Sequence, residues 1–335
     1  MYAGKSYKLP EFLFWTRRSI YALIILGIVP VFLYHNIGLK WLNIPWPVVA
    51  LLGTATAFIV GFKNTQTYNR TGEAHQVWTT ILNLSRAWGL VSRDYFDNPD
   101  DTKGLIYRHL AWLTALRYQM REHRIWESTV KKHNVEYRQF YNIPEKETPL
   151  KKELAKFLSA EDLEYILASG NKATKIMSLQ SQSLKRLFKK EQIVLLQFME
   201  MERGIKEFYV QQGKTEQIKD SPYPRQYAII NTLFVRLFCF LLPFGMLKEF
   251  EKLDELVDGI MKGHMVWLVV PFSIMISWMY TSLEQVGEST ENPFEGGAND
   301  VPISQMCRNM EIELREFLGE TDLPEPLKPQ NNIIL

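Results

Sequence analysis

The sequence predicts an all-α membrane protein: four transmembrane helices plus a large helical region inserted between two membrane hairpins. Three observations predict it. Four stretches are nearly free of formal charge and reach the roughly 20 residues that a helix needs to cross a bilayer core. They fall in two pairs, one within residues 1–62 and one within 226–283. Between the pairs, residues 63–225 are rich in Lys, Arg, Glu and Gln, and their apolar residues recur at helical spacing.

The first span runs from Ser19 to Leu39, with Trp15 and Tyr34 near its ends as interfacial anchors. Lys5, Lys8, Arg17 and Arg18 precede it, but the apolar run is too long for a signal peptide and no small-x-small cleavage site follows. The second span, Trp41 to Phe62, opens on Pro45 and Pro47, tolerated where the first helical amides lack partners. The third, Gln226 to Leu247, is interrupted by one charge, Arg236. The fourth, Met265 to Leu283, is charge-free, and a short acidic loop from Lys248 to His264 joins it to the third. Lys63 and Arg70 follow span two and Arg225 precedes span three. By the positive-inside rule these flanks and both termini are cytoplasmic, as expected of a multi-pass membrane protein.

Within 63–225, Trp112, Leu113, Leu116 and Met120 mark one helix. Thr148-Pro149 reads as an N-cap with proline at the first helical position, and Ser159 with Asp162 as a second start, stopped near Gly170. From Ile176 to Tyr209 the residues Leu184, Leu187, Leu195, Phe198, Met201, Ile205 and Phe208 predict one long amphipathic helix. Residues 284–320 read as a C-terminal segment packing on this region, and 321–335, rich in Pro and Asn, as a flexible tail.

Composition excludes several functions. A net charge of +2 gives no basic patch for nucleic acid. Cys239 and Cys307 lack zinc-site spacing, and the six histidines are scattered. There is no HExxH, GxSxG, Walker A or GxGxxG motif, so neither an enzyme, a metal nor a cofactor is expected.

Span two is the most informative. Gly53, Ala57 and Gly61 form a small-residue stripe that lets helix backbones approach closely. Beside it Thr54, Phe58 and Phe62 recur every fourth residue along about 12 Å of helix axis. The plain reading turns these phenylalanines to lipid or a helix interface. The sharper one makes them a narrow, dry neck in a ring of helices, gating by dewetting, with partially positive ring edges toward an anion. Arg236, whose charge costs about 2.5–3.5 kcal/mol at mid-span, is expected to face protein, water or headgroups; its plain role is a structural ion pair, and the sharper alternative is a direct part in conduction.

Three blocks in order are similar to the bestrophin family: GFKNTQTYNR at 61–70; SPYP at 221–224 with LLPFG at 241–245; and EQVGESTENPFEGGANDVP at 284–302, before the helix CRNMEIELRE. The resemblance covers nearly the whole chain. It implies a homopentameric ion channel in a lipid bilayer, with Thr54, Phe58 and Phe62 at the pore neck and Ile176 at a second, cytosolic aperture. It implies conduction of small inorganic ions, anions such as chloride, with a monovalent-cation channel and a non-conducting scaffold as alternatives. Thr71-Gly72 stands where the family often has an aromatic pair. Where animal members carry a calcium clasp, only Glu295 and Asp300 are acidic here, a poor set for an ion that takes six to eight oxygens. No calcium activation is expected, and the chain resembles a prokaryotic homologue.

Overall fold

The computed structural model describes residues 1–335. It is helical throughout, with isolated β-bridges and no strand. In chain order the helices are α1 (Leu9–His35), α2 (Trp46–Asp94), α3 (Pro99–Arg121), α4 (Lys132–Tyr137), α5 (Pro144–Glu147) and α6 (Leu150–Leu154). They continue with α7 (Ala160–Leu167), α8 (Lys172–Lys189), α9 (Leu195–Asp220), α10 (Arg225–Glu251), α11 (Val269–Ser289) and α12 (Ile303–Phe317).

Four helices are long and apolar enough to cross a membrane: α1, the first part of α2, α10 and α11. Their hairpin connections meet at one end of the bundle. There Tyr34 and Lys40 bond Glu251, and the rings of His35 and His264 lie 5.7 Å apart. Inside the bundle Val31, Val49, Phe238, Leu242 and Val269 form the main apolar core. The first span is shorter than its apolar run: α1 stops at His35, and Gly38, with φ of 80°, turns the chain into a 3-10 turn at Lys40–Leu42.

The remaining helices stack at the other end around a second, larger core. Trp78 of α2, Trp112 of α3 and Phe208 of α9 are completely or almost completely buried there. Two polar pairs lie in this core: the Trp112 indole donates to Gln212 at 3.0 Å, and His109 Nε2 meets Ser85 Oγ at 2.8 Å. One helix joins the two layers without interruption. α2 carries 49 residues from the apolar bundle deep into the second core.

Three local expectations change. The stretch from 176 to 209 is two helices, α8 and α9, broken at Glu191, whose φ is 60°. Doubling back lets the two apolar stripes face a shared core, and Phe188 stacks on Phe198 at 5.0 Å across the break. Thr148 does not cap: α6 starts at Leu150 with Pro149 as its flanking residue, whereas Ser159 caps α7 by accepting from the Asp162 amide at 3.2 Å. The final residues of the tail are docked. Ile333, Ile334 and Leu335 are buried, the Ala3 amide donates to Asn332 at 2.6 Å and the Gln305 amide to Leu335 at 2.6 Å. Three terminal aliphatic residues supply the apolar area that the Pro- and Asn-rich stretch before them lacks.

Candidate pore-lining site

The site is a face of α2. In its apolar part every third or fourth residue (Val49, Gly53, Thr56, Val60, Lys63, Thr67) is buried against the neighbouring helices. Thr54, Phe58 and Phe62 lie on the opposite side, and all three are exposed. Phe58 is 76% exposed and Phe62 55%. Thr54 Oγ1 donates its hydrogen to the Ala50 carbonyl at 3.0 Å. Phe62 meets Tyr227 of α10 at 6.5 Å between ring centroids. A shallow apolar hollow lined by Phe58, Phe62, Tyr223, Tyr227 and Ile230 flanks the stripe.

The small-residue stripe divides. A Cβ at Gly53 would stand 2.7 Å from the Phe238 ring, so this glycine permits α10 to close on α2. Tyr280 also reaches the Gly53 carbonyl, at 3.1 Å. Gly61 has open space where a Cβ would be, and Ala57 is exposed. Only the first member of the stripe packs inside the subunit.

One residue beyond Phe62 the chemistry changes. Lys63 points to the buried side, and its Nζ lies 3.3 Å from Glu291 Oε2, with both side chains 4% exposed. Arg225, at the start of α10, bonds the other oxygen of Glu291 at 2.8 Å. Arg70, further along α2, donates to the carbonyls of Ile218 and Ser221. The three sequence blocks that resemble bestrophins therefore converge on one polar knot at the base of the phenylalanine stripe. Inspection of the sequence missed this role for Lys63, Arg225 and Glu291, although all three lie in or beside those blocks. Opposite charges spaced far apart in sequence give no periodic signal.

Two expectations are corrected here. Ile176 is wholly buried within the chain, in the core shared by α3 and α8. An isoleucine on an amphipathic helix packs inward because the hydrophobic effect favours it there. Arg236 has no ion-pair partner within the chain and is exposed on the outer side of α10. The four predicted spans hold no carboxylate that could pair with it.

The acidic residues after the ENPF core are already committed. Asp300 accepts from the amides of Phe294, Gly296 and Val301, each at 2.7 Å, and from Arg121 at 2.8 Å. Glu295 accepts from the amide and hydroxyl of Ser128. Burial pushes the Glu295 carboxyl up to about 8, with the nearby Asp300 and Glu127 adding to the shift.

With this geometry in view, comparison with known proteins is decisive. The family model described as bacterial and fungal bestrophin protein matches residues 17–316. The chain belongs to the bestrophin family. This bestrophin is 23% identical over 299 residues to the voltage-dependent anion channel-forming protein YneE of Escherichia coli, covering 89% of this chain and 84% of that one. A voltage-dependent anion channel-forming protein of Mesorhizobium japonicum is 22% identical over 270 residues, covering 81% and 74%. The crystal structure of a bacterial bestrophin homologue from Klebsiella pneumoniae superposes with a TM-score of 0.74 at 22% identity, covering 91% of this chain and 98% of that one. The fold of the bestrophin is thus the family's, and it is a channel family rather than an enzyme family.

Proposed function

We propose that this bestrophin is one subunit of a homopentameric channel that passes small monovalent anions, chloride among them. Each subunit contributes the face of α2 that carries Thr54, Phe58 and Phe62, and five copies form a hydrophobic neck around the axis. The observation that carries this reading is the outward display of two large aromatic side chains on a helix whose other side is fully packed. Their ring edges are partially positive, which favours an anion stripped of part of its water. The anion-channel names of the relatives point the same way.

The channel sits in the bacterial inner membrane with the helical region and both termini in the cytoplasm. The basic residues Arg17, Arg18, Lys63, Arg70 and Arg225 flank the spans at the end that bears the helical region, which supports that orientation. The test is a reversal potential. Purified protein in planar bilayers under asymmetric potassium chloride gives a potential near the chloride equilibrium value. A potential near the potassium value makes the channel cation-selective, since the neck has no formal charge to fix the sign. Absence of current together with a monomeric state in cross-linking supports a scaffold instead.

A further inference from the structure

An open cavity of about 370 Å³ lies where the bundle meets the helical region, far from the phenylalanine stripe in sequence and lining. Its size falls in the range of about 300–1,000 Å³ typical of small-ligand sites. Phe12 and Trp15 of α1 and Val286 of α11 form one wall, at the ends of two spans; Tyr137 and Tyr141 form another. Most polar groups in the walls are already paired. Tyr7 donates to the Tyr137 hydroxyl at 2.7 Å, and Asn134 accepts from the Trp15 indole and donates to the Ser128 carbonyl. Both oxygens of Glu295 are held by Ser128.

Arg138 is the exception. It lines the cavity, one of its terminal nitrogens is buried without a partner, and no carboxylate lies within ion-pair distance. A guanidinium with unused donors beside aromatic walls is suited to a phosphate or carboxylate. Apolar walls at the ends of two membrane helices are suited to a hydrocarbon chain entering from the bilayer. Glu295 does not oppose a negative head at neutral pH, because burial keeps its carboxyl protonated there.

We propose that this cavity binds an anionic amphiphile, with its phosphate or carboxylate head on Arg138 and its chain among Phe12, Trp15 and Val286. The site is separate from the neck, so its occupancy is testable without any current. Full-length protein purified in detergent and stripped of lipid is titrated with phosphatidylglycerol, oleate or phosphatidylcholine, and bound molecules are counted by native mass spectrometry. At least one anionic species binds about tenfold more tightly than phosphatidylcholine. Binding of phosphatidylglycerol alone identifies a phospholipid site, and of oleate alone a fatty-acid site. Arg138→Gln removes the preference, Arg138→Lys keeps part of it, and Ala298→Trp blocks binding by filling the cavity. The thermal midpoint of each unliganded variant separates lost binding from lost folding. Equal binding of phosphatidylcholine by the native protein overturns the proposal, as does a folded Arg138→Gln variant that keeps the anionic preference.

Discussion

The Lys63 ammonium lies 3.3 Å from the Glu291 carboxylate, one residue after the last phenylalanine of the exposed stripe. The pair ties the middle of α2 to the loop after α11, and Arg225 ties the start of α10 to the same carboxylate. The rotation of α2, and hence the direction in which Phe58 and Phe62 point, depends on this knot.

Breaking the pair from the Glu291 side leaves the buried Lys63 charge uncompensated, which costs about 3–5 kcal/mol. Glu291→Leu is expected to lower stability by that order and Lys63→Met by less, because Arg225 still pairs with Glu291. The double variant should lose clearly less than the sum, because neither charge is then stranded between these two residues. A double-mutant cycle of denaturant unfolding in detergent measures the coupling; simple additivity removes the pair from the account.

Gly53 packs within the chain, whereas Gly61 faces open space that a neighbouring copy would occupy in the proposed pentamer. Gly53→Ala places a methyl against the Phe238 ring, and overpacking of this kind costs about 1–3 kcal/mol. Gly61→Leu has room in the isolated subunit. Its effect is expected only in the assembled ring, seen as a lower yield of pentamer by size-exclusion light scattering. Equal destabilisation of the monomeric form by both substitutions contradicts this division.

Glu295 links stability to pH. Its folded pKa of about 8 lies above the usual 4.5, because burial penalises the charged form. A carboxyl raised in this way contributes stability that is complete below pH 4.5 and is lost as pH rises toward 8. Glu295→Gln removes the titration while keeping an acceptor for Ser128. The thermal midpoint of this variant, relative to the native protein, is expected to rise between pH 5 and pH 9. A difference that stays constant over that interval assigns Glu295 an ordinary ionisation.

Ile176 tests the corrected assignment. Ile176→Ala is expected to cost about 2–5 kcal/mol as a core truncation and to leave the chloride-to-cation permeability ratio unchanged. A changed ratio at unchanged thermal midpoint returns this residue to the conduction path.

The four spans, the helical middle and the Thr54–Phe58–Phe62 stripe were legible because each rests on local sequence: charge-free length or regular spacing. The break at Glu191 was not, because the same helical period continues on both sides of it and only tertiary packing selects the reversal. The docked tail was hidden for a related reason: Ile333 to Leu335 are too few to signal burial, and their partners, Met1 and Gln305, are distant in sequence. The resemblance that implied a neck at Thr54, Phe58 and Phe62 also implied an aperture at Ile176, whereas the local amphipathic pattern placed Ile176 in the core, where it is buried.

The most direct measurement is halide flux from proteoliposomes bearing the native protein or the Phe58→Ala/Phe62→Ala double variant, at equal pentamer content. If these side chains form the neck, widening it raises chloride flux several-fold and weakens discrimination between chloride and larger anions. Identical flux and identical discrimination in the two preparations contradict a pore lined by this face of α2.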